Sequence, residues 1–196
     1  MKVLIIGSGG REHAICLSLA KSLKLSKLYC APGNAGIAEV AECVNIGVME
    51  FDKIINFAKE KAIDLVFVAP DDPLALGLVN RLEKEGIRAF GPTLEAAIIE
   101  GSKVFSKAFM QRHNIPTADY SVFSDYQSAK AYLEKCDYPV VIKADGLALG
   151  KGVLISNCLE DGLNALSSIM IDKKFGSAGN SVVIEEFLSG HEATVL

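Results

Sequence analysis

The sequence predicts an α/β protein with a parallel β-sheet, covered by helices on both faces, followed by a smaller α+β unit. In the first half, short apolar runs typical of strands alternate with amphipathic helical segments, which is the pattern of parallel sheets. In the second half the order becomes strand, helix, strand, strand, helix, strand. This change indicates two domains with a boundary within residues 91–103, where Gly91 and Pro92 interrupt the pattern.

The strands of the first half are short apolar runs, and the helices between them are recognised by apolar residues at helical spacing. We predict strands at residues 2–6, 27–31, 64–69 and 88–90, and helices at residues 12–23, 51–62 and 73–85. In the first helix the apolar positions are Ile15, Leu19 and Leu23. Pro73 and Gly86 mark the start and the end of the last helix.

The second half is interpreted from the same signals. Helices are expected at residues 102–113, 124–136 and 160–171, and strands at residues 120–123, 140–144, 153–156 and 181–188. Ser124, with Gln127 three residues later, has the pattern of a capping box. Another strand begins at residue 192 and reaches residue 196 without a turn or cap, so we expect the chain to be part of a longer protein.

The composition indicates a globular protein, since 50% of the 196 residues are hydrophobic and 22% are charged. A net charge of -4 without a basic run argues against a nucleic-acid-binding surface. No apolar run approaches the length of a membrane span, so no membrane partner is expected. The five cysteines are odd in number and none pairs as Cys-x-x-Cys, which favours reduced thiols in a cytoplasmic protein over disulfides or a zinc site.

A glycine-rich turn, Gly-Ser-Gly-Gly-Arg-Glu-His at residues 7–13, joins the first strand to the first helix. A Rossmann-type fold binds phosphate at this place, with backbone N–H groups and the helix dipole facing the anion. The dinucleotide fingerprint requires a glycine where Glu12 stands, and no acidic residue ends the second strand. A single phosphate beside Arg11 is therefore favoured over NAD or FAD, and a turn that serves only close packing stays open. His13 is favoured as a residue that fixes the loop, with a catalytic role as the alternative.

Asp71 follows the third predicted strand of the first half, residues 64–69, at the same edge of the sheet as the glycine turn. Ligands of open α/β sheets bind outside the carboxyl ends of the strands, so Asp71 is a candidate substrate contact. Its neighbour Asp72 is explained equally well as the N-cap of the helix that starts at Pro73.

A second glycine-rich loop, Gly-Leu-Ala-Leu-Gly-Lys-Gly at residues 146–152, connects two strands of a predicted hairpin. Such a loop lets the backbone approach a polyphosphate, and Lys143 and Lys151 add positive charge on both sides. It is not a P-loop, because Gly152 and a strand follow Lys151 instead of Ser or Thr and a helix. The pattern predicts a flap over phosphates, and a tight hairpin with two solvated lysines is the alternative.

Three further signals are weak when each is taken alone. Lys103 lies early in a helix, where a lysine is usually solvated. Strand alternation places one of Glu185 and Glu186 inward and the other outward. Glu192 follows this strand.

Seven stretches, taken together, resemble the glycinamide ribonucleotide synthetase (phosphoribosylamine–glycine ligase) family of the ATP-grasp superfamily. They occur in order at residues 3–14, 31–36, 90–93, 100–103, 141–148, 150–152 and 183–188. The chains of that family are longer, so the resemblance implies that this is the N-terminal half of one. It implies a Rossmann-like substrate domain at residues 1–101 and the start of an ATP-grasp domain at residues 102–196, with a flap subdomain at about 119–190.

The activity implied by the resemblance is a two-step ligation. ATP phosphorylates the carboxylate of glycine, and the amine of 5-phosphoribosylamine then displaces phosphate from this acyl phosphate to form the amide. The implied substrate contacts are Gly9, Gly10, Arg11, Glu12, Asn34, Asp71 and Asp145. The implied ATP contacts are Lys103, Lys143, Gly146, Gly150, Lys151, Gly152, Glu185, Glu186, Leu188 and Glu192.

The resemblance assigns no catalytic residue within this chain and places the ligands of Mg²⁺ or Mn²⁺ beyond residue 196. The family has Gly-Pro-Glu where this chain has Ala69-Pro70-Asp71, so a substrate contact at that position is shorter. Two other functions stay open: a different ATP-grasp enzyme, of the carboxylate–amine or carboxylase type, and a non-catalytic nucleotide-binding module. An NAD-dependent oxidoreductase is disfavoured by Glu12.

Overall fold

The computed structural model describes residues 1–148 and 151–194, and the chain divides into two compact units, Met1–Ile98 and Ile99–Leu196. The first unit contains a five-stranded sheet in the order β3-β2-β1-β4-β5, with every neighbouring pair parallel. The predicted parallel sheet is therefore confirmed. The strands are β1 (Lys2–Gly7), β2 (Lys27–Pro32), β3 (Glu42–Cys43), β4 (Leu65–Val68) and β5 (Ala89–Phe90).

Helices cover both faces of this sheet. In β1, Leu4 and Ile6 pack into one core with Ile54 and Leu82, while Val3 and Ile5 pack into another around Cys16. This alternation along one strand is the expected result of burial on both faces. The helices are α1 (Gly10–Leu19), α2 (Phe51–Glu60), α3 (Asp71–Ala75), α4 (Leu78–Lys84) and α5 (Leu94–Gly101), with a 3₁₀ turn at Ile37–Glu39.

Four sequence predictions for the first unit were incomplete or wrong. The helix predicted at residues 73–85 is two helices, because Gly77 has a φ of 80° and interrupts the helical backbone. The first helix ends at Leu19, so Leu23 lies outside it and is exposed. Strand β3 has only two residues and both are exposed, which leaves no apolar pattern to detect. Helix α5 was not predicted from the sequence.

The second unit contains a four-stranded antiparallel sheet in the order β6-β9-β7-β8. Its strands are β6 (Tyr120–Phe123), β7 (Val140–Ala144), β8 (Val153–Ser156) and β9 (Val182–Glu186). The first three have the predicted bounds, and the predicted order of strands and helices is confirmed. The helices are α6 (Lys103–Arg112), α7 (Tyr126–Leu133) and α8 (Leu159–Leu166), followed by a π-helical turn at Ser167–Ile171 and a 3₁₀ turn at Gly176–Asn180.

The two faces of the central strands β7 and β9 differ in chemistry. On one face Ile142 and Ile184 pack against Leu133 of α7 and Leu166 of α8. On the other face, Val141 is paired with Glu185 and Lys143 with Val183, so Lys143 and Glu185 are diagonal neighbours. Helix α6 supplies a side chain, Lys107, that reaches Glu185 on this polar face.

Three predictions for the second unit were wrong at the ends of elements. Asp125, not Ser124, is the N-cap of α7, and its carboxylate accepts a hydrogen bond of 2.8 Å from the Ser128 N–H. The predicted helix at 160–171 changes from α- to π-helical geometry at Ser167. Residues 192–194 form no strand, and residues 195–196 of that prediction lie outside the described part of the chain. No helix in the described residues has the length and apolarity needed to cross a membrane.

Candidate functional site

The first candidate site is the turn between β1 and α1. Gly7 has a φ of 131° and lies against the side chain of Glu12, which leaves no room for a Cβ. The Glu12 carboxylate is buried and accepts a hydrogen bond of 2.5 Å from the Gly9 N–H. Glu12 therefore closes the turn from inside, whereas a Cβ at Gly10 would meet open space. The first N–H groups of a helix have no intrahelical acceptor, so this open side can receive an anion.

Asn34 and His13 connect this turn to the loop after β2. The Asn34 amide donates to the Ser8 carbonyl at 2.8 Å, and its oxygen accepts from the Ile37 N–H at 2.9 Å. The His13 ring lies so close to Gly36 that a Cβ there would be 2.7 Å from Cε1. This contact fits the role of fixing the loop that we favour for His13. Asn34 likewise holds two loops in a set geometry.

Arg11 and Asp71 meet at the carboxyl ends of β1 and β4. Their closest charged atoms, Nη1 and Oδ1, are 3.9 Å apart, and the side chains are 72% and 46% exposed. The strand order β2-β1-β4 reverses direction at this pair of strands, which is where open α/β sheets bind ligands. An exposed ion pair contributes little to stability, so both side chains can turn to a ligand. Asp72 lies inside the first turn of α3 and is not its N-cap, which is Pro70.

The second candidate site surrounds the glycine loop in the second unit. Lys143 projects from β7, and its Nζ donates to Glu185 Oε2 at 2.8 Å. The side chain of Lys143 is 25% exposed, whereas that of Glu185 is 6% exposed. The ammonium group of Lys143 is therefore paired with a buried carboxylate, while part of its side chain remains exposed to solvent. Glu186 is exposed, as alternation predicts for the neighbour of a buried residue.

Lys103 reaches the same loop from the start of α6. Its Nζ donates to the Gly146 carbonyl oxygen at 2.6 Å, and the side chain is partly buried. Burial lowers the pKa of Lys103 from the usual lysine value, although the nearby Asp145 carboxylate acts in the opposite direction. Lys103 is therefore not a solvated lysine of the kind usual early in a helix. Its ammonium group is held at the first residue of the loop.

Asp145 fixes the loop to the N-terminus of α6. Its Oδ1 accepts hydrogen bonds from the Ser102 hydroxyl at 3.0 Å and from the Val104 N–H at 3.2 Å. Ser102 is itself the N-cap of α6 and accepts from the Phe105 N–H. Loop and helix are thus joined by several polar contacts beside Lys103.

The two ends of the loop require glycine for steric reasons. A Cβ at Gly146, where φ is 152°, would lie 2.7 Å from the Cβ of Ala178. At Gly152 a Cβ would lie 2.7 Å from the Cβ of Ala148. Lys151 is exposed at the loop, and Gly150, a predicted ATP contact, lies outside the described residues.

Sequence reasoning missed Lys107, which is only 5% exposed. Its Nζ lies 3.1 Å from Glu185 Oε2 and donates to Thr117 Oγ1 at 2.8 Å and to the Ala118 carbonyl at 3.0 Å. One signal was available: Lys107 follows Lys103 by four residues and so shares its face of α6. The structure therefore brings Lys107, Lys143 and Glu185 together.

Three predicted ATP contacts lie at or beyond the end of β9. Glu186, its last residue, accepts a hydrogen bond of 2.9 Å from the Asp119 N–H through Oε1. Leu188 and Glu192 follow the strand and are exposed. Across residues 1–148 and 151–194, no group of three or more His, Cys, Asp or Glu side chains is placed to hold a metal ion.

Family comparisons divide the chain in two. Residues 1–100 match the family described as "Phosphoribosylglycinamide synthetase, N domain". Residues 101–196 match "Phosphoribosylglycinamide synthetase, ATP-grasp (A) domain".

Curated relatives include phosphoribosylamine–glycine ligases. The one from Halalkalibacterium halodurans is 50% identical over 196 residues, which are 100% of this chain and 46% of that protein. The one from Brucella melitensis is 54% identical over 194 residues, which are 99% of this chain and 45% of that protein. The chain thus spans about half the length of the curated relatives it matches.

Two solved structures have folds similar to that of this chain. The crystal structure of phosphoribosylamine–glycine ligase from Thermotoga maritima has a TM-score of 0.80 and 36% identity, over 97% of this chain and 45% of that one. An N5-carboxyaminoimidazole ribonucleotide synthetase from the same organism has a TM-score of 0.67 and 23% identity, over 95% of this chain and 46% of that one. The second likeness concerns the fold alone.

Proposed function

This chain belongs to the phosphoribosylglycinamide synthetase family, and we propose that it contributes to an ATP-dependent ligase of de novo purine biosynthesis. The reaction joins glycine to 5-phosphoribosylamine and yields glycinamide ribonucleotide, ADP and phosphate. The names of the curated relatives support this function. We also propose a cytoplasmic location, which the free thiols of all five cysteines support.

The observation that carries the proposal is the placement of two lysines beside one glycine loop, one in contact with it and one on the strand before it. Lys103 contacts the carbonyl of Gly146, and Lys143 lies on the strand that leads into the loop. Phosphoryl transfer depends mainly on positioning and on neutralising the charge of the phosphates. A loop that lets the backbone approach the phosphates closely can position them, and the two ammonium groups can neutralise their charge. Lys151 adds a third positive charge at the exposed side of the loop.

In the proposed first step, a glycine carboxylate oxygen attacks the γ-phosphorus of ATP, and the bond to the ADP oxygen breaks. The product is glycyl phosphate. The side chains of Lys103, Lys143 and Lys151 and the N–H groups of Gly146, Gly150 and Gly152 are proposed to hold the phosphates, whereas the Lys151 N–H donates to the Ala148 carbonyl. Glu186, Leu188 and Glu192 are proposed to contact the nucleoside. Asp145 is proposed to contact the substrate glycine. It also holds the loop on α6 through its hydrogen bond with the Val104 N–H.

In the proposed second step, the amine of 5-phosphoribosylamine attacks the carbonyl carbon of glycyl phosphate. The C–N bond forms, inorganic phosphate leaves, and the amine loses a proton. The sugar phosphate is proposed to bind at Arg11 and at the first N–H groups of α1, beginning at Gly10. Because the Gly9 N–H is bonded to Glu12, Gly9 contributes backbone shape rather than a donor. Asn34 positions this loop, and Asp71 is proposed to contact the sugar.

A divalent cation, Mg²⁺ or Mn²⁺, would neutralise phosphate charge when bound in such an enzyme. Every role proposed above is a role of this chain's own side chains and backbone.

Substrate dependence of ATP turnover in the full-length protein that contains this chain tests the proposal. Phosphate release should require both glycine and 5-phosphoribosylamine, and glycinamide ribonucleotide should form in equal amount. Turnover that depends on bicarbonate instead of glycine would favour a carboxylase-type ATP-grasp enzyme. ATP binding without turnover under any of these conditions would favour a non-catalytic nucleotide-binding module.

A further inference from the structure

Lys107, Lys143 and Glu185 form a buried cluster in which two lysines share one carboxylate oxygen. The Nζ of Lys107 is 3.1 Å from Glu185 Oε2, and the Nζ of Lys143 is 2.8 Å from the same atom. The side chains of Lys107 and Glu185 are each only 6% exposed, whereas that of Lys143 is 25% exposed. The cluster thus has a closed inner side at Lys107 and an open outer side at Lys143.

Protein groups enclose the ammonium group of Lys107, whose side chain is only 6% exposed. Three oxygens surround the Nζ of Lys107, from Thr117 at 2.8 Å, from Ala118 at 3.0 Å and from Glu185 at 3.1 Å. The ring of Tyr120 covers another side, with its centroid 5.4 Å from this nitrogen. Lys107 therefore acts on its protein neighbours and not on substrate.

The charges of the cluster do not cancel, because two ammonium groups face one carboxylate. Glu185 alone would form a one-to-one pair with Lys143 and neutralise it. Since Lys107 competes for the same oxygen, part of the positive charge of Lys143 remains uncompensated on the exposed side. Electrostatic interactions are stronger in such a partly buried place than in water, so this charge attracts an anion effectively.

We propose that Lys107 is a positioning residue for the nucleotide phosphates. It holds the Glu185 carboxylate in place and limits its pairing with Lys143, so that Lys143 keeps charge and donors for the phosphates. This inference rests on the proposed function, in which Lys143 contacts ATP. It also gives Glu185 a different role from the predicted one, because its carboxylate holds two lysines.

Binding of the ATP analogue adenylyl imidodiphosphate to the full-length protein tests the inference by calorimetry. Lys107→Met, which removes the charge and keeps the chain length, should weaken this binding roughly tenfold, within the usual coupling range of residues in one network. Binding of adenosine, which has no phosphates, should be unchanged. In a Lys143→Met background, Lys107→Met should have no further effect on analogue binding. Equal losses for the analogue and adenosine, or additive losses in the double variant, would show a merely structural role.

The single variant Lys143→Met separates this inference from the proposed function. If Lys143→Met leaves analogue binding unchanged, the assignment of Lys143 to the phosphates is wrong. If it weakens binding but Lys107→Met does not, only the role of Lys107 is wrong. Should Lys107→Met fail to fold, Thr117→Val removes one of the three oxygens around Lys107. Analogue binding should then weaken by about two- to threefold, and an unchanged affinity would contradict the inference.

Discussion

Lys103 and Lys143 are held beside the glycine loop by different partners. Lys143 extends from a strand and is tied to a buried carboxylate, whereas Lys103 extends from the first turn of a helix to a backbone carbonyl. A carbonyl oxygen neutralises an ammonium group less than a carboxylate does. Burial is the main cause of the lowered pKa of Lys103, and the charge of Lys143 acts in the same direction, while the Asp145 carboxylate opposes it.

We predict that Lys143→Ala lowers kcat/KM of the full-length protein about ten- to a hundredfold, because a charge-assisted contact to phosphate is lost. Lys143→Arg should not restore activity, since a planar and bulkier guanidinium does not replace a compact ammonium group. Steady-state kinetics with varied ATP measures both. Lys130→Ala is the matched control, because Lys130 lies on α7 with its side chain 41% exposed and forms only an ion pair of 3.9 Å with Glu134. Equal effects of Lys143→Ala and Lys130→Ala would make Lys143 an ordinary strand lysine.

The lowered pKa of Lys103 predicts a pH dependence. A lysine whose pKa is lower in the folded state than in the unfolded state costs stability while it is charged, so its contribution to folding stability improves as the pH rises through the folded-state pKa. Phosphate binding has the opposite dependence, because it requires the charged form. Affinity for adenylyl imidodiphosphate should therefore fall at a pH below the usual lysine value of 10.5. Lys103→Arg should move this loss to higher pH, and identical profiles for both proteins would contradict the assignment.

At the level of elements, helix α6 and the glycine loop depend on each other. Asp145, the residue before the loop, accepts hydrogen bonds from two groups at the N-terminus of α6. Its negative charge also interacts favourably with the helix dipole there. The position of the loop is therefore set partly by where this helix begins.

We predict that Asp145→Ala lowers the free energy of unfolding by about 1–2 kcal/mol, the usual effect of losing a capping interaction. Urea unfolding followed by circular dichroism gives this difference. Asp137→Ala is the control, because Asp137 is exposed and lies in the turn before β7. A loss of stability as large for Asp137→Ala would mean that Asp145 has no special contact to α6.

The chain as a whole spans about half the length of the curated relatives it matches. We predict that the 196-residue chain alone shows no ligase turnover with ATP, glycine and 5-phosphoribosylamine. A phosphate-release assay, with the full-length protein as the positive control, measures this. Turnover within the usual range of enzymes, about 1 per second or more, would contradict the prediction.

Local pattern was sufficient for much of this protein. Alternating strands and helices indicated the parallel sheet, apolar runs gave β6, β7 and β8 their bounds, and glycine spacing identified both loops. These features arise from residues close together in the chain, whose side-chain period and backbone freedom are visible in the sequence. For Arg11 and Asp71, the sequence predicted that both lie at the same edge of the sheet, but not that they form an ion pair.

Other features exist only because distant segments meet in the folded chain. Lys107 resembles any helical lysine until Thr117, Ala118 and Glu185 surround it and exclude water. Strand alternation predicted that one of Glu185 and Glu186 points inward. It could not predict that the partners of Glu185 come from α6 and β7. Burial and charge pairing depend on contacts between residues far apart in sequence; the spacing of Lys107 from Lys103 indicated a shared helix face but neither its burial nor its partners.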